Sequence, residues 1–326
     1  MTGGPAPERA ADPARTIFFG SGAFAVPILD ALVALPRVSV VAVVTAPARP
    51  AGRSGTRTPT PVARRAATLG LPVLTPTRVR APASVAELAA LEPDLGVLAD
   101  YGQIVPQALL DLPAHGILNV HPSLLPRHRG ATPIAATITA GDAEAGVTIF
   151  RMDAGVDTGP ILAAAAWPLT GTETSPALEA DAARRGAALL TETVDGWLAG
   201  TLPARAQDTD GATATRPFRR EDGRLDPTRP ARELERLVRA NEPWPGSFVD
   251  TRVGRVAILG ATVAAGQPDD VTGSLVEHDG RLALATTDGR LVFEQARREG
   301  RRASDGAEFL RGQRDLVHTG ILPGSA

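Results

Sequence analysis

Apolar positions along the chain follow two rhythms: short runs rich in Val, Ile and Leu, and longer stretches with the helical repeat. Thr16–Gly20 is an apolar run closed by Gly20-Ser-Gly22, and Phe24–Ala34 then carries the helical pattern. A strand, a glycine turn and a helix begin a doubly wound α/β sheet. Further strands are predicted at Val38–Thr45, Pro72–Leu74, Asp94–Ala99, Gly116–His121, Gly146–Met152 and Ile161–Leu169. Helices are predicted at Val62–Leu69, Ala83–Leu91, Thr132–Ala140 and Thr174–Leu198, the last long and amphipathic and closing the domain. The fold class read from this pattern is α/β, an open, mostly parallel, Rossmann-like sheet.

Two stretches break the rhythm. Ala46–Pro61 is sixteen residues of mainly Pro, Gly, Thr, Ala and Arg between a strand and a helix. It is expected to be structureless, and a loop of that length in a compact α/β unit is usually functional. Thr201–Pro217 has small polar and turn residues without period and is read as a linker. Beyond it come a helix at Arg229–Asn241, its stop at Pro243-Trp-Pro-Gly246, and about five short strands with turns at Asp279-Gly, Asp288-Gly and Glu299-Gly. A short helix near Ala307–Arg311 ends the pattern. This half reads as a small OB-like β-barrel. The expected domains are an extension at 1–15, a catalytic domain at 16–200, a linker at 201–217 and a C-terminal OB-like domain at 218–326. No internal repeat is visible.

Composition narrows the chemistry. The 326 residues suffice for two domains, and 43% hydrophobic content fits a globular protein. Met1–Arg15 lacks the apolar core of a signal peptide and reads as a disordered extension, so the expected location is the cytoplasm. With no cysteine there are no disulfides, thiolate metal sites or thiol nucleophiles. All 34 basic residues are arginine, which excludes Schiff-base chemistry and Lys-dependent phosphate loops. The glycine turn after Thr16–Gly20 lacks a third glycine, and Val38–Thr45 does not end in an acidic residue, which argues against a nicotinamide site. The net charge is −2, but arginines cluster at Arg49–Arg65, Arg216–Arg220 and Arg297–Arg302. Nucleic-acid binding needs such local patches rather than a basic whole.

The chemistry concentrates in Gly116–Gly130, Gly-Ile-Leu-Asn-Val-His-Pro-Ser-Leu-Leu-Pro-Arg-His-Arg-Gly. Ile117, Leu118 and Val120 predict a buried strand; Pro122 and Pro126 then turn the chain outward into an extended loop. Asn119 and His121 are two apart, so on a strand they share a face. An amide donor and a titratable imidazole are thereby aimed together at the mouth of a sheet.

This run resembles the signature loop of the folate-dependent formyltransferases. Gly146-Val-Thr-Ile-Phe-Arg-Met-Asp-Ala-Gly-Val-Asp-Thr-Gly-Pro-Ile-Leu162 resembles the strand-loop-strand that carries the family's catalytic aspartate, which falls on Asp157. Arg151 departs from the family, which usually has Gln or an aromatic residue there. The likeness extends from about Thr16 to Arg314. It implies formyl transfer from 10-formyltetrahydrofolate to an amine, with no metal, in a monomer. Such a reaction places negative charge on the former carbonyl oxygen and positive charge on the amine. Asn119 is the expected amide donor to that oxygen. His121, when protonated, is a charged donor to the same oxygen or to the leaving nitrogen. Asp157 orients His121, raises its pKa, and takes the amine proton directly or through a water.

The same resemblance places the folate along Ser123, Leu124, Leu125 and Pro126, with Tyr101, Gly102 and Ile104 and the Asp153–Asp157 loop at the pterin. Arg127 and Arg129 meet the glutamate carboxylates of the folate or a tRNA phosphate. His128 is expected to be exposed and uninvolved. Thr45-Ala-Pro-Ala-Arg-Pro-Ala-Gly-Arg53 resembles the inserted loop by which tRNA-acting members grip an acceptor stem, with Arg53 as the entering arginine. The family follows it with Gly and two Lys; here Ser-Gly-Thr-Arg57 follows. The implied acceptor is the amino group of methionyl initiator tRNA, held by Arg53, Arg57 and the cluster Arg297, Arg298, Arg301 and Arg302. Alternatives are a sugar-nucleotide N-formyltransferase, a formyltetrahydrofolate hydrolase, and a non-catalytic nucleic-acid binder using the barrel. Glycinamide ribonucleotide formyltransferases lack a second domain.

Overall fold

A computed structural model describes residues 12–51 and 56–322. Residues 1–11, most of the expected N-terminal extension, lie outside the described residues, and so does Arg53; Ala14 and Arg15 already belong to the first strand.

The chain forms two compact units. The first takes the chain up to Arg129, Gly146–Ala166 and Ala180–Ala214. Its sheet has the strand order Ile161–Pro168, Glu144–Arg151, Ile117–His121, Leu95–Ala99, Ala14–Gly20, Val38–Val44, Val73–Leu74. Ala14–Gly20 runs parallel to both neighbours, Val38–Val44 parallel to Val73–Leu74, and Leu95–Ala99 parallel to Ile117–His121. Glu144–Arg151 is antiparallel to Ile117–His121, with Asn119 opposite Phe150 and His121 opposite Thr148. The four parallel strands from Val38–Val44 to Ile117–His121 therefore send their loops out at one edge, where open α/β sheets place ligands.

The strands that lead to that edge are deeply buried. Phe18, Val97, Leu118 and Ile149 are fully buried. The helix Ser175–Leu198 lies flush against the site strand because Gly186 has no side chain; a Cβ there would come 2.9 Å from Val120 Cγ1.

One element departs from expectation. Ala46–Pro61 is not structureless: Arg49–Ala51 and Thr56–Thr58 pair as an antiparallel ribbon, Arg49 opposite Thr58 and Pro50 opposite Arg57. Its base is pinned where it leaves the sheet. Thr45 and Thr60 share a hydroxyl hydrogen bond of 2.7 Å, the Ala46 amide donates to Ser21 Oγ at 3.1 Å, and Thr60 caps the next helix by accepting from the Ala63 amide.

The second unit comprises Gly130–Ala145, Trp167–Glu179 and the chain from Thr215. Its antiparallel sheet runs Ser247–Thr251, Gly254–Ala265, Gly289–Arg298, Arg281–Ala285, Ser274–His278, Thr319–Gly320, consistent with an OB-like domain. Two of its strands are longer than expected, twelve and ten residues, and they pair with a register shift at Gly260. Val256, Ile258, Leu284 and Phe293 of this sheet pack with Leu234 of the helix Ala231–Ala240. Among the described residues no helix is long and apolar enough to cross a membrane.

Candidate active site

The strand Ile117–His121 presents Asn119 and His121 on one face, as its period demands, and Asp157 comes back over that face from the Asp153–Gly159 loop. Asn119 Nδ2 donates to Asp157 Oδ1 at 3.5 Å, the outer limit of a hydrogen bond. His121 Nδ1 lies 3.5 Å from Asp157 Oδ2. The other ring nitrogen, Nε2, is 3.0 Å from the carbonyl oxygen of His128. A carbonyl only accepts, so Nε2 carries a proton and Nδ1 is the nitrogen left to face the carboxylate.

His121 is 5% exposed and stacks edge-on against Phe150. That burial pulls its pKa below the ordinary imidazole value, against the opposing pull of Asp157 and of the His128 carbonyl. The expectation that Asp157 would raise it holds only for that one contribution; desolvation outweighs it. His121 is therefore neutral at neutral pH, and its Nδ1 lone pair and the Asp157 carboxylate together form a proton acceptor.

The loops around this cluster are ordered by their own side chains. Asp153 Oδ1 accepts from the Gly155 amide and the Thr158 hydroxyl. Asp157 sits at φ +53°, a left-handed conformation that Asp tolerates better than most residues. On the other side, the Thr148 hydroxyl donates to the Ser123 carbonyl at 2.7 Å and accepts from the Leu125 amide at 3.2 Å. Ser123 Oγ donates to the Arg127 carbonyl at 2.7 Å. Thr148 thus fixes the Ser123–Pro126 segment from the neighbouring strand.

Of the expected folate residues, Ser123 and Leu125 are buried, and Leu124 and Pro126 half-buried. Tyr101 is buried, with a hydroxyl that has no hydrogen-bond partner, and burial pushes its pKa up to about 12. Gly102, at φ +46°, faces open space, and Ile104 is 80% exposed. Among the described residues no group of three His, Cys, Asp or Glu is placed to hold a metal.

The arginines divide. Arg57 is exposed on the ribbon, its Nη2 donating to the Ala48 carbonyl. Arg297, Arg301 and Arg302 are exposed in the second unit, while Arg298 is half-buried and donates to the Val253 carbonyl. Arg127 is exposed. Arg129 is not a solvated charge; its guanidinium is bonded to Gln207.

Three residues escaped the sequence reading. His128 is buried, not exposed: its amide donates to Thr213 Oγ1 at 2.8 Å and its carbonyl takes the His121 proton donor. Thr148 looked like one more β-branched strand residue. Gln207 lies in the aperiodic Thr201–Pro217 stretch, where the one signal was that it is the sole side-chain amide.

Residues 14–194 match the formyl transferase family, and residues 217–314 match the formyl transferase C-terminal domain. The methionyl-tRNA formyltransferase of Roseiflexus sp. (strain RS-1) is 45% identical over 303 residues, 93% of this chain and 93% of its own. That of Pseudomonas fluorescens (strain SBW25) is 40% identical over 96% of this chain and 98% of its own. Among solved structures, an N-formyltransferase from Helicobacter canadensis, in complex with folinic acid and dTDP-3-aminofucose, aligns over 86% of this chain and 98% of its own. Its TM-score is 0.65 at 16% identity, a likeness of fold alone.

Proposed function

The chain belongs to the methionyl-tRNA formyltransferase family, and on that premise we propose that Asn119, His121 and Asp157 carry the transfer. The protein formylates the amino group of methionyl initiator tRNA, drawing the formyl group from a formyl-folate. The donor in this reading is 10-formyltetrahydrofolate.

The amine of the methionyl group attacks the formyl carbon, and the carbonyl oxygen gains negative charge. Asn119 Nδ2, held by a long contact to Asp157, turns to that oxygen. The ammonium formed on the attacking nitrogen loses its proton to the pair of His121 Nδ1 and Asp157, directly or through one water. His121 thereby becomes cationic beside the developing oxyanion and stabilises it. The same proton then passes to the folate nitrogen as its bond to the formyl carbon breaks. One C–N bond forms, one breaks, and one proton moves from amine to folate. The single observation that carries this reading is the convergence of Asn119 and His121 on one carboxylate.

The donor lies along Ser123–Pro126 and the Tyr101–Ile104 loop. Arg53 and Arg57, both within the Ala46–Pro61 segment of the sequence, grip the acceptor end, and Arg297, Arg298, Arg301 and Arg302 meet tRNA phosphates, so binding weakens steeply with salt. The test offers purified protein and a formyl-folate either methionyl initiator tRNA or an amino-sugar nucleotide. Formylation of the tRNA is expected; formylation of the sugar nucleotide alone would replace this acceptor with the other.

A further inference from the structure

We propose that Gln207 is a positioning residue for formyl transfer, holding the Asp157 loop at its distance from His121; this rests on the catalytic reading given above. Gln207 Nε2 donates to two carbonyls of that loop, Asp157 at 2.9 Å and Gly159 at 2.7 Å. Its Oε1 accepts from Arg129 Nε at 3.2 Å and Nη2 at 2.7 Å. The orientation of the amide is unambiguous, because guanidinium can only donate and carbonyls can only accept.

The geometry gives this amide leverage. Asp157 is at φ +53°, and a non-glycine residue stays there when its surroundings over-determine it. Asp153 braces the loop from within through the Gly155 amide and the Thr158 hydroxyl, and Gln207 holds the backbone carbonyls of Asp157 and Gly159 from outside it. At its other end the amide is bound to Arg129, next in sequence to His128, whose carbonyl holds His121 Nε2. One side chain therefore ties the loop that presents the carboxylate to the loop that orients the imidazole. Gln207 is itself fixed to the sheet, since Arg205 and Ile161 exchange backbone hydrogen bonds of 2.7 and 2.8 Å. Gln207 bonds the backbone carbonyls of the loop and not its reacting side-chain atoms, so its effect runs through Asp157.

The test is Gln207→Met in the full chain, which keeps length and removes both donors. Ring-nitrogen NMR follows the titration of His121, on which Asp157 and His128 act as the facing titratable groups. Steady-state formylation of methionyl initiator tRNA gives kcat and KM. With the carboxylate displaced, His121 should titrate lower than in the wild type. The kcat should fall about tenfold to a hundredfold, the size of two ordinary hydrogen bonds, with KM for both substrates held. Added to Asp157→Asn, the change should cost nothing more, because both act through one group. An unchanged His121 titration overturns the proposal, and so does a loss of rate that adds in full to that of Asp157→Asn. Failure of the wild type to formylate tRNA would overturn the function instead, while the NMR result would still decide Gln207. Should Gln207→Met not fold, Gln207→Asn, too short to span both carbonyls, carries the same expectations.

Discussion

Two segments leave the same edge of the sheet and are built in opposite ways. The loop after His121 buries Ser123, Leu125 and His128 and is held along its length: by Thr148 on the next strand, by its own Ser123, and by Thr213 from a distant segment. The ribbon after Val44 is fastened at its base by Thr45, Thr60 and Ser21, and its Arg57 and Thr58 are exposed. Charge stabilisation in a transition state needs donors that are already in place, because reorganising them costs the energy they would supply. Gripping a large polyanion needs reach and exposed cations. The contrast fits the proposed division of labour, in which the site strand does the chemistry and the ribbon holds the acceptor.

The largest break in that contrast comes from Asp157→Asn. It keeps shape but removes the charge that completes the proton acceptor, and turnover should fall about 10²–10⁴-fold with the fold intact. Full activity in this variant would remove Asp157 from the mechanism. Asn119→Ala should follow, with about 3–4 kcal/mol lost from transition-state binding and little change in folate affinity. Normal turnover at saturation with weakened folate binding would make Asn119 a binding residue instead.

Arg53→Ala should cost about 1.5–3 kcal/mol, the worth of one charge-assisted contact, and only with charged tRNA. Folate affinity, measured on the same protein, should not move; equal tRNA formylation in variant and wild type would leave the ribbon without its role. Gly186→Val forces a side chain into the space that Val120 and Val147 occupy, so stability should drop by about 1–3 kcal/mol. A denaturant midpoint equal to wild type would mean that the helix does not set the strand's position.

The smallest effect is on stability with pH. His121 has its pKa lowered by burial, so the unfolded chain binds its proton more readily. The contribution is whole above about pH 6.5 and is lost as pH falls from there toward the folded value. Thermal unfolding from neutral to mildly acid pH should therefore drop further in wild type than in His121→Gln. Parallel curves would contradict the buried neutral imidazole.

The sheet was legible because its strands are nearly continuous apolar runs, and the spacing of Asn119 and His121 alone placed them on one face. Asp157 was legible only through resemblance, since Asp-Thr-Gly is ordinary turn chemistry and nothing in its spacing points at a strand 38 residues away. The ribbon was missed because three pairs of small and basic residues carry no hydrophobic period. His128 was misjudged and Gln207 overlooked for a shared reason. Their burial comes from contacts across 85 and 50 residues, and no local pattern records such contacts. The direction of the His121 shift was also missed, since a sequence names the neighbouring charge but not the depth of burial that outweighs it.

The separation of chemistry from grip is tested most directly by kcat and KM for charged initiator tRNA, measured side by side in Asp157→Asn and Arg53→Ala. Expected is a crossed result: kcat collapses in Asp157→Asn with KM for tRNA held, and KM for tRNA rises in Arg53→Ala with kcat near wild type. A loss that falls on kcat in Arg53→Ala, or on KM alone in Asp157→Asn, would contradict it.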